Sequence, residues 1–137
     1  MESLFEGSPK VNAFFLIISV SLLGLTAAVH SLLGERRLLR PLLRKTDPGQ
    51  TNVILNSTLG RFLIRFAWHL TSLSWLVLAA SLLTLQFQPE QALRNTLVAT
   101  GVVFTAAGIF DAFGSKGRHI GWPLLTAIGI AALMATI

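Results

Sequence analysis

Apolar positions in this chain come in runs too long for the alternation of a soluble fold. The first begins at Val11 and lasts to about Leu33. Three more follow, at about Thr58 to Leu85, Asn95 to Phe113 and Gly121 to Ile137. A helix crossing the hydrocarbon of a bilayer needs roughly 20 mostly apolar residues. Even the fourth run, residues 121–137, would reach ~26 Å as a helix. The pattern predicts four membrane spans, at about 11–33, 58–85, 95–113 and 121–137, within a single domain covering residues 1–137.

The polar interruptions set the connections. Residues 34–57 form the one long loop. Its first part, Glu35 to Lys45, alternates basic pairs with leucine pairs, a pattern that can lie in the headgroup layer with leucines down. Pro41 has no N–H to donate, so the first helix is expected to end or kink there. Asp47-Pro48-Gly49 reads as a turn, and Asn56 or Ser57 as the cap of the second span, with Thr51 as an earlier alternative start. Residues 86–94 make a short polar loop around Pro89, and 114–118 a tight basic turn. Pro123 falls in the first turn of the fourth span, where a missing donor costs little. Residues Thr26-Ala27-Ala28 would pass as a signal-peptidase site. Yet Glu2 and Glu6 outnumber Lys10 before the first run, and that run exceeds the usual 7–15 residues, so it reads as a retained span.

Charge orients the spans. Arg36, Arg37, Arg40, Arg44, Lys45, Arg61, Arg65, Lys116 and Arg118 fall on one side and only Lys10 and Arg94 on the other. That asymmetry puts the 34–57 loop and the 114–120 turn in the cytoplasm and both termini outside. Short connections favour antiparallel neighbours. The expected fold is an all-α integral membrane protein, an antiparallel four-helix transmembrane bundle, N-out and C-out. Its general build resembles that of small four-span proteins of bacterial inner membranes, and no motif carries a functional residue over from a named family.

Composition agrees. Charged residues are 12% of the chain, against about 25% in soluble domains. Hydrophobic residues are 53% and mean hydropathy is +0.67. A net charge of +5 would raise nucleic acid as a partner, but these basic residues flank apolar runs. Anionic lipid headgroups are the expected counter-charge, met by Arg36, Arg37, Arg40, Arg44 and Lys45. There is no cysteine, hence no disulfide, thiolate site or thiol nucleophile.

Small residues mark the packing faces. The third span shows Gly101, Thr105, Gly108, Asp111 and Ala112 at helical spacing, and the first Gly24, Ala27, Ala28 and Ser31. The second offers Arg65, His69, Ser72, Ala79 and Ala80, and the fourth a weaker Gly129 and Ala132. Trp68 and Trp75 lie two turns apart on one side of the second span and read as packing or lipid-facing residues.

The candidate chemistry is a group of ionisable residues expected at one leaflet: His30, Glu35, Arg65, His69, Asp111, Arg118 and His119. Charges in hydrocarbon need partners. The first reading is a structural clasp in which Asp111 takes Arg65 or Arg118, and His30 and His69 donate to carbonyls or Glu35. Alternatives are a metal site, haem held axially by two histidines, and a phosphate headgroup bracketed by the arginines with His69 or His119 as acid or base. No His-x-x-x-His, His-x-x-His-His, Glu-x-x-His, Gly-x-Ser-x-Gly or phosphate-binding Gly-x-x-x-x-Gly-Lys-Ser/Thr motif occurs. The middle of the first span has no acid, which argues against proton-coupled export. The expected role is a non-enzymatic structural or accessory component of the membrane, without cofactor, joined to a membrane-protein partner or to copies of itself. The alternatives are a haem- or metal-binding redox protein and an oligomeric transporter or pore.

Overall fold

The computed structural model describes residues 12–44 and 53–137. Lys10, Lys45, the Asp47-Pro48-Gly49 turn and Thr51 lie outside the described residues. The chain is helical throughout the described part: α1 Ala13–Leu42, a short α2 Val53–Asn56, α3 Thr58–Phe87, α4 Ala92–Gly114 and α5 Gly121–Met134. A 3-10 turn, Pro89–Gln91, leads into α4. Helix starts follow local chemistry. Asn12 accepts from the Phe14 N–H at 3.0 Å, and Ser57 from the Gly60 N–H at 2.8 Å. Each satisfies a donor that has no partner within its helix.

α1, α3 and the Pro89–Gly114 stretch are long and apolar enough to cross a membrane. Two expectations change. The first apolar run ends near Leu33, but its helix continues through the basic segment to Leu42 and ends beside Pro41, where the missing N–H was expected to end or kink it. Gly34 does not end it, and Pro41 lies only one residue from its end. Just before Pro41 the helix widens into a π-helical stretch, Glu35–Leu39, closed by the Arg40 N–H donating to the Glu35 carbonyl. In this segment Leu39 and Leu43 turn inward and are buried, while Leu38 and Leu42 stay exposed. The second change concerns α5, which has 14 residues, or about 21 Å. That falls short of a hydrocarbon core of about 30 Å, because the last residues leave the helix.

The main interfaces run in chain order: α1 against α3, α3 against α4, α4 against α5. An interface of the first helix with the last, which would close a bundle, is not among them. The buried apolar residues are mostly alanines, Ala27, Ala79, Ala92 and Ala107, with Leu39 and Leu43. The outside is apolar as well, with Phe14, Leu25, Leu93, Phe110 and Phe113 all exposed. Several hydroxyls inside the apolar helices are satisfied by their own backbone, although the buried Thr105 hydroxyl has no partner among the described residues. Thr71 donates to the Ala67 carbonyl, Ser74 to Leu70, Ser81 to Val77 and Thr126 to Trp122. That back-bonding lets a helix carry hydroxyls where no water competes.

The tightest seam joins α4 to α5. Gly129, which the sequence marks only weakly, meets the Gly101–Thr105 face of α4. A Cβ on Gly129 would lie 2.8 Å from the Gly101 carbonyl oxygen and nearer still to Thr105. Gly24, by contrast, has nothing within 4 Å of a built Cβ. Gly129→Ala is therefore expected to destabilise by about 1–3 kcal/mol through overpacking. Gly24→Ala is expected to be neutral, or stabilising by up to about 1 kcal/mol through helix propensity. Thermal unfolding in detergent micelles checks both, and equal melting temperatures for the two variants would contradict the seam.

Candidate functional site

The polar residues of the helices collect at two crossings. The first is between α1 and α3. Residues 30, 31, 34 and 35 share one face of α1, and 65, 68, 69 and 72 one face of α3, each set at helical three- and four-residue spacing. Gly34 allows the approach. The Trp68 indole lies over it, and a Cβ there would sit 2.6 Å from the ring. From that position Trp68 stacks on His30, with centroids 4.0 Å apart and planes at 5°, and its Nε1–H donates to the His30 carbonyl at 2.8 Å. Trp75 packs on the same imidazole at 5.0 Å. Both tryptophans are packing residues, as the sequence suggests.

Around this stack the two helices exchange side chains reciprocally. His30 Nδ1 of α1 pairs with Ser72 Oγ of α3 at 3.0 Å, and Ser31 Oγ of α1 with His69 Nδ1 of α3 at 2.6 Å. One turn on, Glu35 receives two arginines and a histidine. Arg65 Nε donates to Oε2 at 3.1 Å, His69 Nε2 lies 3.5 Å from the same oxygen, and Arg40 Nε lies 3.5 Å from Oε1. A carboxylate only accepts, so the proton facing it belongs on His69 Nε2. Nδ1 is then left to accept from the Ser31 hydroxyl. Partner numbers descend on α3 as they rise on α1, from 30–72 to 35–65.

The second crossing holds Asp111, the only fully buried ionisable side chain among the described residues, at 0% exposure. Its Oδ2 lies 2.5 Å from His119 Nδ1. Its Oδ1 has no partner among the described residues. The turn between them is tightly wound: Lys116 has φ 55° and Gly117 φ 71°, and the Gly117 N–H donates to the Ala112 carbonyl at 2.8 Å. This reversal brings His119 back over Asp111, with its ring against Gly121.

The single group expected from the sequence is thus two groups. Arg65 pairs with Glu35 and not with Asp111, because its face of α3 meets α1 whereas Asp111 faces α5. Arg118 is exposed and forms no ion pair among the described residues. His30 takes a serine hydroxyl in place of a carbonyl or Glu35. Among the described residues no three His, Asp or Glu side chains gather in a way that could hold a metal. Ser31, His69 and Glu35 do line up as hydroxyl, imidazole and carboxylate. Ser31, however, sits within a continuous helix, and nothing at this crossing supplies the pair of free backbone N–H groups that an oxyanion needs. The arrangement joins α1 to α3 through side-chain hydrogen bonds and ion pairs.

A small cavity of about 280 Å³ lies at the first crossing against Ser31, His69 and Ser72, and two larger ones open beside it. One, of about 700 Å³, is a groove between α3 and α4 walled by Phe62, Phe66, Phe110, Leu73 and Val103. The three phenylalanines pack against one another with centroids 5.9–6.2 Å apart. The other, of about 530 Å³, is lined by Arg36, Arg40, Pro41, Leu43, Arg44 and Arg65. Sequence reasoning assigned Arg36, Arg37, Arg40, Arg44 and Lys45 to headgroup contact. Of these, Arg37 is exposed and does not line the basic cavity, and Lys45 lies outside the described residues. The groove itself was not anticipated; the four-residue spacing of Phe62 and Phe66 is its only trace in the sequence.

His119→Ala would leave the buried Asp111 side chain without its hydrogen-bond partner, and is expected to destabilise by about 1–3 kcal/mol. Adding Asp111→Ala should recover most of that loss, whereas Arg118→Ala should stay within about 0.5 kcal/mol of the parent. Unfolding titrations in mixed micelles measure all three; a double variant as unstable as His119→Ala would refute the pairing.

Compared with known proteins, the chain matches no family model, no curated protein and no solved structure.

Proposed function

We propose that the chain is a non-enzymatic component of a membrane, embedded in the bilayer with its arginine-rich end at the cytoplasmic face. It acts by assembling with a second membrane protein or with further copies of itself. The observation that carries this reading is how the polar side chains are used. Serines, histidines and carboxylates at the helix crossings are engaged with one another, which holds helices together and leaves no reaction centre. The row-like packing adds support, since α1 and α5 each lean on a single neighbour and present their remaining apolar surface outward. A haem or metal role has less support, because His30 and His69 each engage a serine through Nδ1.

For topology, the descending pairing of α1 with α3 favours an up-and-down arrangement. The nine basic residues against two favour N-out, in a bacterial inner membrane. The C-out assignment has less support from α5, whose 14 residues carry it only part of the way across. The chain has no cysteine, so single cysteines report position without background. Lys116→Cys is expected to react with an impermeant maleimide only in inside-out vesicles, and Asn12→Cys only in right-side-out ones. Labelling of Lys116→Cys from the outside would overturn the orientation. Cross-linking followed by native mass spectrometry of the detergent-extracted protein tests the role. An assembly with itself or with a membrane protein is expected; a lone monomer under all mild extractions would sink the accessory reading.

A further inference from the structure

We infer that the arginine end of the molecule binds one anionic phospholipid, its phosphate among Arg36, Arg40, Arg44 and Arg65 and an acyl chain in the groove between α3 and α4. The inference rests on the membrane placement proposed above and goes beyond it. A bilayer bathes every helix in lipid, whereas a slot selects one lipid and fixes where its charge sits.

Three observations converge. First, the basic cavity concentrates guanidinium groups beyond what the protein neutralises. Glu35 lies within 4 Å of Arg40 and Arg65, while Arg36 and Arg44 have no ion-pair partner among the described residues. Arg36 and Arg40 on α1 and Arg44 just past its end line this one cavity together. Guanidinium forks match the paired oxygens of a phosphodiester, and basic pockets between spans at the cytoplasmic end suit anionic headgroups. Second, the groove is walled by aromatic and aliphatic side chains, with Arg61, Arg65 and His69 among its polar lining. An acyl chain fits those walls. Third, the two cavities adjoin, since Leu43 and Arg65 line both. A single amphiphile spanning that boundary would bring its charge to the arginines and its tail to the phenylalanines.

The structure also separates a site from general attraction to an anionic surface. Arg36 lines the basic cavity; Arg37, the next residue with the same charge, does not. A diffuse electrostatic effect would treat the two alike.

The full-length protein in detergent micelles is titrated with phosphatidylglycerol, phosphatidylcholine or inorganic phosphate, and retained lipid is counted by native mass spectrometry. One phosphatidylglycerol per chain is expected, held at least about tenfold more tightly than phosphatidylcholine and not displaced by millimolar phosphate. Arg36→Gln combined with Arg44→Gln should weaken retention roughly tenfold or more, and Arg37→Gln should leave it unchanged. Ala106→Phe, which narrows the groove from an exposed position on its wall, should weaken retention while the parent fold persists by circular dichroism. Equal retention of phosphatidylcholine, equal loss in Arg37→Gln, or displacement by phosphate alone would each overturn the site. Carbonate extraction of membranes keeps the two readings apart. A chain released by carbonate refutes the membrane placement, and a chain that resists it but retains no phosphatidylglycerol refutes the lipid site alone.

Discussion

Everything at the arginine end depends on Trp68 lying flat across Gly34. The indole can reach the α1 backbone only because no Cβ stands in the way. Once it does, its N–H finds the His30 carbonyl and its face finds the His30 ring. That contact sets the register of α1 on α3, and the register decides which side chains meet. His30 then faces Ser72, Ser31 faces His69, and Glu35 arrives beside Arg65. Each unmet donor or acceptor at a helix crossing costs free energy, so a slip by one residue would lose several hydrogen bonds together.

The other half of the molecule solves the same problem differently. α4 and α5 approach through glycine and threonine, with Gly101, Gly108 and Gly129 placed so that backbones nearly touch. Dispersion over that close contact takes the role that the serine–histidine exchange plays between α1 and α3. The one buried carboxylate of this half, Asp111, is reached by His119 from the turn that joins the two helices. The halves meet through α3 and α4, where Phe62, Phe66 and Phe110 form the contact and leave a groove beside it.

Local chemistry explains what could be foreseen. Four apolar runs gave four helices, three of them long, because hydropathy acts over whole segments. Ser57 caps α3, and the basic turn follows α4, because caps and tight turns are written in a few adjacent residues. The end of α1 at Leu42 was legible too, because Pro41 marks it, whereas the seat of Trp68 on Gly34 was hidden, since its two halves lie far apart along the chain. The partner of Asp111 was misjudged for another reason. Ranking cations by charge favours arginine, but the direction of a helix face outweighs charge. Asp111 shares its face with Gly101, Thr105 and Gly108, and following that stripe to α5 would have led to His119. The meeting of Glu35 with Arg40 was not legible, because residues five apart do not share a face of an α-helix.

The π-helical stretch of α1 lets that helix hold one residue more than a regular α-helix of the same rotation. A helical turn holds 3.6 residues, so an extra residue in a regular α-helix would rotate everything beyond it by about 100°. The wider turn absorbs that residue instead. Removing one residue between Glu35 and Leu39 would therefore let an ordinary α-turn close there, leaving both the grip of His30, Ser31 and Gly34 and the direction of the basic end in place. The bulge is a point of slack, where the chain can change length by one residue without re-aiming its charged tip.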